Sequence, residues 1–368
     1  MTELSRRSGR TETRLAVEAG RHALADARLE ASAVDAVLTY HLGSSAPVNH
    51  VAAALGVHEP AWTNELYGGG TQAASILGDA AMLIESGIAS TVLVYRALNG
   101  RSGNRMGQVA LRLGASGDEQ FTLPYGMLGP VHLFALAAQR WMYETKSTED
   151  DLAAVVIRSR AHATSNPRAV MRTPVGPIDY RASPYIATPL RRLDCCLETD
   201  GATALVVTRA DIADRVRPGS PRIHAVVRGG GPGASAMDKA ADLGRIFASH
   251  LAEPLYAAAG MTPRDVDVAQ LYDAYSFLVL RQLEDFGFCG PGEAGEFVRQ
   301  GQTGPSGRLP VNLNGGLLSE GYVHGLNNVA EAVRQLRGDS CLPASDAEVA
   351  LCTGFGGSYG SAAVLVRG

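Results

Sequence analysis

The chain has 368 residues, 46% of them hydrophobic, and a net charge of −4, which is enough length for two domains or one large pseudo-symmetric domain. The weak negative charge gives no reason to expect nucleic acid or an anionic membrane surface as a partner. The apolar runs have strand length, far below the ~20 residues of a bilayer span. We expect neither a signal peptide nor a membrane span, and the odd number of cysteines (5), without paired zinc-type spacing, predicts reduced thiols in the cytoplasm and no metal site.

The first half of the chain alternates helices and strands. Periodicity predicts a helix over 13–29 and a strand over 35–41. The glycine-rich corner "LYGGG" leads into a helix over 71–87, which is followed by a strand over 90–97. The start of a helix stabilises negative charge through its backbone N–H groups and its dipole. The side chain offered at this corner is a phenol, that of Tyr67, where many enzymes place a nucleophilic thiol or hydroxyl.

The alternation is lost between residues 105 and 190, which indicates an inserted lid or cap. This region contains a predicted helix over 147–167 and the Pro-rich run over 172–190. A pair of strands is predicted over 194–209, and the pattern starts again after the turn "RPGSP".

The second half repeats the order of the first. We predict strands over 222–230, 266–275, 348–355 and 361–368, and helices over 244–260, 276–287 and 325–338. The matching order indicates an internal duplication, with halves over 1–215 and 216–368. The strand over 222–230 has no counterpart before the first helix, so we expect the first half to lack a strand that would lie upstream of Met1. First strands are often central in parallel sheets, so we expect its loss to be costly.

Several segments together resemble the thiolase superfamily, in its sterol-carrier and lipid-transfer-protein-like branch. They are "LNGRSGNRMGQ", "CLETDGATALVVT", "LEDFGFCGPGE", "NLNGGLLSEGYVHG" and "LCTGFGG". The resemblance covers nearly the whole chain. It implies an α/β thiolase fold, in which two duplicated halves form a five-layered αβαβα sandwich with an inserted cap. It also implies a homodimer and an acyl-CoA substrate.

Thiolases resemble one another in four catalytic positions, and three of these hold tyrosine here. Tyr67 stands where the nucleophilic Cys opens a Cys-Gly-Ser-Gly corner. Tyr272, in "YDAY", stands where an Asn-Glu-Ala-Phe motif has its Asn. Tyr322, in "GYVHG", stands where a Gly-His-Pro motif has its His, and His324 follows two residues later. The fourth position, the Cys of a Cys-x-Gly motif, is retained as Cys352.

This exchange favours acid–base over covalent catalysis. A phenol with an ordinary pKa of about 10 is a poor nucleophile at neutral pH, but it donates protons well and accepts them when its phenolate is stabilised. Carbon–carbon cleavage without a thiol is retro-aldol chemistry. A base takes the hydroxyl proton of a β-hydroxyacyl-CoA, the Cα–Cβ bond breaks, a ketone leaves, and the thioester enolate is protonated. A thiolase oxyanion hole already suits such an enolate.

The sequence is also similar to the bacterial steroid side-chain aldolases of the same branch. They share the missing nucleophilic Cys and the tyrosines in "YDAY"-like and "GYxHG"-like segments. This resemblance implies cleavage of a 17-hydroxy-steroid side-chain CoA thioester into a 17-ketosteroid and propionyl-CoA. It implies no cofactor besides the coenzyme A of the substrate, and a small OB-fold acyl-CoA-binding partner protein.

The resulting site hypothesis pairs Tyr272 with Tyr322 as acid and base and adds His324 as a ligand of the thioester oxygen. Four further residues are candidates for substrate binding: Tyr67, Cys352, Gly356 and Tyr359. The glycine cluster over 354–360 lies between two strands, which suits close backbone approach to the thioester rather than phosphate binding. Several candidates also have a structural interpretation. Tyr67 could fill the pocket that the missing Cys vacates, and Tyr272 could be a core tyrosine. His324 could order its loop, and Cys352 could be an inherited scaffold thiol.

A few neighbouring residues have plainer interpretations. Asp273 is expected to cap or orient the helix that follows it. The adjacent Cys195 and Cys196, and also Cys289, are expected to be packing thiols. Arg101 and Arg105, in a polar loop, are expected to be solvated.

Two other functions compete with the aldolase hypothesis. The chain could be an acyl-CoA acetyltransferase, a thiolase of the sterol-carrier type, that uses Cys352 or another thiol; the missing corner Cys argues against this. It could instead be a non-catalytic lipid-carrier subunit, although three tyrosines in catalytic positions favour acid–base work. Alkylation of thiols should inactivate a thiolase but largely spare a tyrosine-based aldolase. Substitution of both Tyr272 and Tyr322 by Phe should stop turnover by an aldolase but leave ligand binding by a carrier unchanged.

Overall fold

The computed structural model describes residues 1–103, 105, 120–232, 242–355 and 359–368. The described strands are β1 (Ala36–His41), β2 (Trp62–Tyr67), β3 (Thr91–Asn99), β4 (Tyr185–Ala187), β5 (Leu190–Arg191), β6 (Asp200–Thr208), β7 (Arg222–Gly229), β8 (Val268–Gln270), β9 (Val349–Phe355) and β10 (Gly360–Val366). The described helices are α1 (Glu12–Ala27), α2 (Val48–Leu55), α3 (Gln72–Glu85), α4 (Pro130–Thr145), α5 (Glu149–Thr164), α6 (Pro177–Ala182), α7 (Ala210–Val216), α8 (Ala248–Ala259), α9 (Ser276–Asp285), α10 (Ala294–Arg299), α11 (Gly316–Ser319) and α12 (Leu326–Arg337).

The strands form two four-stranded sheets of related topology. The first has the order β2-β1-β3-β6, with β1 parallel to β2 and β3 and with β6 antiparallel to β3. The second has the order β7-β10-β9-β8, with β8 parallel to β9 and with β10 antiparallel to both of its neighbours. Each sheet therefore combines a parallel part with an antiparallel edge.

Helices cover both sheets and separate them. Helix α1 packs on β3 and β6, and α8 packs on β7 and β10. Helix α3 contacts both sheets, and α12 contacts β6, β8 and β9. Small residues such as Ala73, Ala74 and Ala80 are buried on α3 and let it fit between two sheets. The result is the five-layered αβαβα arrangement of the thiolase fold, as predicted.

No strand precedes α1 among the described residues, as expected for the first half. Thr2 and Ser5 donate backbone hydrogen bonds to the carbonyls of Ala202 (2.9 Å) and Asp200 (3.0 Å), antiparallel to β6. This is the place that β7 occupies beside β10 in the second sheet. The expectation that the missing strand would be central was wrong, because the corresponding strand of the second half, β7, lies at the edge of its sheet.

The described part of the cap region consists mainly of helices, with one small hairpin. Helix α5 packs against α9, α10 and α11, and α4 packs against the small hairpin of β4 and β5. Trp141 of α4 is buried and donates a hydrogen bond to the carboxylate of Glu284 at the end of α9 (2.9 Å). The cap is therefore attached to the second half.

Some elements differ from the predictions. The predicted strand pair over 194–209 is the single strand β6, and residues before it form isolated bridges to Tyr275 and Tyr322. The strand predicted over 266–275 ends at Gln270, so that Tyr272 lies in a loop. Elements α2, β2 and α4 were not predicted; β2, for example, is an exposed edge strand without an alternating apolar pattern. No helix of the described residues is long and apolar enough to cross a membrane.

Candidate active site

The structure brings together two tyrosines that are 50 positions apart. The hydroxyls of Tyr272 and Tyr322 form a hydrogen bond of 2.8 Å, and the rings meet edge to face. Their exposed fractions are only 2% and 8%. Two phenols in contact, shielded from bulk water, can pass a proton between them. The two residues predicted as an acid–base pair therefore do meet.

The loop that carries Tyr272 is fixed by two elements of the second half. The backbone N–H of Tyr272 donates to Thr353 Oγ1 of β9 (2.8 Å), and its carbonyl accepts from Gln282 Nε2 of α9 (2.9 Å). Thr353 Oγ1 in turn donates to Gln282 Oε1 (2.6 Å). Because each polar group of this buried triangle has a partner, the start of the loop has little freedom.

Tyr322 is anchored from the first half. Its backbone N–H donates to Thr199 Oγ1 (2.8 Å), and the same hydroxyl donates to the Tyr322 carbonyl (3.0 Å). Thr199 is fully buried just before β6. The tyrosine pair thus lies where the two halves meet. Residues of the second half anchor Tyr272, and Thr199 of the first half anchors Tyr322.

The glycine corner before α3 accommodates the hydroxyl of Tyr272. A Cβ atom on Gly70 would overlap this hydroxyl and would lie 2.6 Å from the carbonyl oxygen of Phe355. Gly68 and Gly69 have φ values of 139° and 53°, which favour glycine. The corner therefore holds a phenol at the start of a helix, as its position suggested, but the phenol belongs to Tyr272.

The prediction that Tyr67 occupies this corner was wrong. Tyr67 ends the edge strand β2 and is 72% exposed, with its ring edge-on to His41 (centroids 5.9 Å apart). Only its carbonyl faces the corner, where it accepts a hydrogen bond from Gln72 Nε2 (2.9 Å). The motif alignment located the backbone correctly, but side-chain direction at the end of a strand is set by the pleat.

His324 lies beside Tyr322, with ring centroids 5.0 Å apart and planes nearly perpendicular. Its Nδ1 accepts a hydrogen bond from Arg96 Nε (3.0 Å), and its carbonyl accepts one from the hydroxyl of Tyr40 (2.9 Å). Its Nε2 is buried and has no hydrogen-bond partner among the described residues. The structure thus brings His324 to the pair and leaves one ring nitrogen for a ligand.

Arg96 is a residue that the sequence reasoning missed. It is fully buried on β3, where Nη1 donates to the carbonyl of Ala97 (2.6 Å) and the guanidinium carbon lies 5.9 Å from the centre of the Tyr40 ring. A charged residue inside the apolar run "STVLVYRA" was the available signal, since arginine is almost never fully buried without a specific reason.

Burial controls the protonation of the site. It raises the pKa of Tyr272 and Tyr322 above the ordinary value, and the positive charge of Arg96 opposes this rise at Tyr322. Burial and Arg96 together hold the pKa of His324 well below its ordinary value. The pair is therefore protonated and the imidazole is neutral at pH 7.

The remaining predicted binding residues are not brought to the tyrosine pair by any described contact. Cys352 is fully buried among apolar side chains of the central layer, where burial raises the pKa of its thiol, so its predicted binding role is not supported. Tyr359 is 46% exposed just before β10. Gly356 lies outside the described residues.

Several neighbours have different contacts from those expected. Asp273 does not cap α9; its carboxylate accepts from the N–H groups of Leu317 (2.9 Å) and Leu318 (3.3 Å) in α11. Arg105 Nε bonds Glu198 Oε2 (2.6 Å) and is therefore paired rather than merely solvated.

The thiols match the prediction that they are unbridged. All five cysteines are free, and burial raises the pKa of Cys195, Cys196 and Cys289. Each is therefore a protonated, unactivated thiol.

A separate cavity of about 1120 Å³ lies between α3, β6, α7 and α12. Its walls are mostly aliphatic, and its rim arginines form ion pairs; Arg337, for example, bonds Asp26 (2.8 Å). None of the candidate tyrosines lines this cavity, so it is separate from the tyrosine site.

The chain matches known proteins along its whole length. The family model described as "Thiolase C-terminal domain-like" matches residues 232–368. The 17-hydroxy-3-oxo-4-pregnene-20-carboxyl-CoA lyase of Mycobacterium tuberculosis is 39% identical, over 99% of this chain and 96% of that protein. The steroid side-chain-cleaving aldolase of Thermomonospora curvata is 38% identical, over 99% of this chain and 95% of that protein.

A solved structure has the same fold with little deviation. It is the "Ltp2-ChsH2(DUF35) aldolase", with a TM-score of 0.92 and 36% sequence identity, over 100% of this chain and 95% of that chain. The agreement extends over both sheets and the cap, and it is not restricted to one half.

Proposed function

Because the chain belongs to the thiolase superfamily, and within it to the steroid side-chain-cleaving aldolases, we propose that it cleaves a 17-hydroxy-steroid side-chain CoA thioester by tyrosine acid–base catalysis. The chain is a carbon–carbon lyase. The proposed products are a 17-ketosteroid and propionyl-CoA. Support for this substrate comes from the names of two relatives that match the chain from end to end.

The proposed reaction is a retro-aldol cleavage with a simple balance. One phenol of the pair accepts the proton of the substrate hydroxyl while its own proton passes to the other phenol along their hydrogen bond. The Cα–Cβ bond breaks, and its electron pair becomes the thioester enolate. The other phenol delivers a proton to Cα. The 2.8 Å hydrogen bond between Tyr272 and Tyr322 lets the second phenol be recharged by the first. Both residues end as they began, and no cofactor is needed because the cleavage involves no net oxidation or reduction.

His324 is proposed to stabilise the enolate. Its Nε2 is buried and has no hydrogen-bond partner among the described residues. The imidazole itself contacts the ring of Tyr322. A neutral N–H donor to the thioester oxygen would stabilise the charge that develops when the carbon–carbon bond breaks. The start of α3 adds a favourable field for that charge.

The observation that carries the proposal is the contact of two buried phenols at a glycine corner that lacks a thiol. A thiolase needs a nucleophile at this corner to form an acyl-enzyme, and a carrier needs no acid–base pair. Carbon–carbon cleavage through an enolate needs what this site provides: a proton acceptor, a proton donor and an oxyanion donor.

The test is a turnover assay with the full chain, alone and with a small OB-fold partner. A 17-hydroxy-steroid three-carbon side-chain CoA thioester is supplied in D₂O, and both products are followed by mass spectrometry. We expect equal amounts of ketosteroid and propionyl-CoA, with one deuterium at Cα, and no cleavage of the analogue that lacks the hydroxyl. The Cys352→Ala variant should keep its turnover. Cleavage that requires free CoA would instead indicate a thiolase, and binding without cleavage a carrier.

The pH dependence should follow the shifted pKa values. His324 has a lowered pKa, so its ring stays neutral as the pH falls through about 6.5, and the phenols have raised pKa values, so they keep their protons as the pH rises through about 10. We therefore expect kcat to be nearly constant from about pH 6 to pH 9. A kcat that falls in step with an ordinary histidine pKa would contradict this assignment.

An OB-fold acyl-CoA-binding partner and a cytoplasmic location are part of the proposal. The two-component name of the solved structure supports a partner protein. The five free thiols are compatible with a reducing compartment.

We also propose a homodimer that forms through β2. This strand is at the edge of its sheet and is exposed along nearly its whole length, including Trp62 and Tyr67. An exposed edge strand is a ready template for pairing with a second copy. We expect analytical ultracentrifugation to give a dimer for the wild type and a monomer for the Trp62→Lys/Thr63→Lys variant. Met82→Lys, at another exposed apolar residue, is the control and should stay dimeric; a dimeric double variant would exclude β2.

A further inference from the structure

Arg96 has a position that its chemistry does not favour. The guanidinium is fully buried on β3, and burial lowers its pKa to about 10. Nη2 has no hydrogen-bond partner among the described residues. Taking such a charge out of water is costly. A buried cation with an incomplete set of partners points to a task that a packing residue would not perform.

The contact between Arg96 and His324 decides which ring nitrogen carries the proton. A guanidinium has only donors, so the 3.0 Å contact of Arg96 Nε requires a lone pair on His324 Nδ1. The low pKa of His324 keeps the ring neutral, and a neutral ring has one N–H. That N–H must therefore be at Nε2, the nitrogen that is buried without a partner.

The ring is also held in orientation. His324 has a φ of 48°, in the sparsely populated left-handed region. Its carbonyl accepts from the Tyr40 hydroxyl (2.9 Å), and the planes of the Tyr40 ring and the imidazole are 24° apart with centroids separated by 6.5 Å. The Tyr322 ring meets the imidazole edge to face, with centroids 5.0 Å apart. Strained backbone in such a setting is typical of functional sites.

We infer that Arg96 is a positioning residue, which holds His324 in its Nε2–H form so that the site presents a fixed N–H donor to the thioester oxygen. This inference rests on the proposed function of the site. The positive charge of Arg96 also lies close enough to Tyr322 to favour negative charge on that phenol. Arg96 thus acts through His324 and Tyr322 and need not touch the substrate.

The tautomer can be observed without any substitution. In the full-length protein labelled with ¹⁵N-histidine, the Nε2 of His324 should have the shift of a protonated ring nitrogen and Nδ1 that of an unprotonated one. The His324→Gln variant identifies the signal. In Arg96→Met the ring should lose this preference and show a mixture of forms. A proton on Nδ1 in the wild type would overturn the inference.

Kinetics then test whether the tautomer matters. With the 17-hydroxy-steroid CoA thioester, Arg96→Met should lower kcat by about 100-fold, the usual loss when one oxyanion donor is misplaced, with little change in KM. Arg96→Lys keeps a donor and a charge and should recover part of the loss. Because Met replaces a buried cation, the melting temperature should stay equal or rise.

A double-mutant cycle separates positioning from a general structural effect. If Arg96 acts through His324, Arg96→Met should cost far less in a His324→Phe background than in the wild type. Equal losses in both backgrounds would overturn the inference. If the wild type shows the Nε2–H form but never cleaves the substrate, the proposed function fails while the assignment of the tautomer stands.

Discussion

Replacement of either Tyr272 or Tyr322 by Phe should lower kcat for carbon–carbon cleavage by about 10²- to 10⁴-fold, the range for removal of a general acid or base. The ring remains, so the surrounding packing is retained. Only the hydroxyl and the 2.8 Å hydrogen bond are lost. The hydroxyl left behind is buried without its partner, so we expect a loss of about 1–3 kcal/mol in the free energy of unfolding. Steady-state kinetics and chemical denaturation measure the two effects.

The double variant provides a sharper test than the single ones. Two phenols that share one proton path act as a unit, so the Tyr272→Phe/Tyr322→Phe protein should be no slower than the slower single variant. Tyr67→Phe is the matched control, since this tyrosine is exposed and should keep full turnover. Wild-type kcat in either single variant would contradict the paired mechanism. Losses that multiply would contradict a shared path.

Gly70→Ala should have a comparably large effect through one added methyl group. A Cβ at this position overlaps the Tyr272 hydroxyl and lies close to the carbonyl oxygen of Phe355. Backbone strain does not contribute, because Gly70 is not among the residues with positive φ. We expect kcat to fall by at least about 100-fold as the phenol is displaced, since small misplacements are costly in catalysis. Overpacking should also cost about 1–3 kcal/mol in the free energy of unfolding.

Two further variants identify the cause of this effect. In the Gly70→Ala/Tyr272→Phe protein one of the overlapping atoms is absent, so part of the lost stability should return, while turnover should not. Gly176→Ala adds a methyl group before α6, where the nearest atom is 3.6 Å away, and should leave turnover unchanged. A fully active Gly70→Ala protein would show that Tyr272 does not need to occupy the corner.

The sequence by itself determined the architecture. Helical and strand periodicities gave most of the long elements, since buried faces repeat at fixed intervals. The matching order of the two halves and the thiolase-like segments gave the layered fold. The substitution of tyrosine at the motif positions pointed to Tyr272 and Tyr322 before any contact was known. These features are local in the chain, so they can be found in a single sequence.

Only the tertiary structure decided which side chains meet. The hydroxyls of Tyr272 and Tyr322 touch because Thr353 and Thr199, from different halves, fix the two loops. Motif position predicted the wrong phenol at the glycine corner, because the exposure of Tyr67 depends on the direction of its side chain at the end of an edge strand.

Arg96 shows the same limit most clearly. In the sequence it is one arginine in an apolar strand, and its importance depends on a histidine 228 positions away. Contacts between distant segments form only when both sheets and the central helices are assembled, since each partner is carried by a different layer. The elements of this protein follow from local sequence, whereas the contacts of the tyrosine pair and of His324 follow from the way in which the two halves are packed.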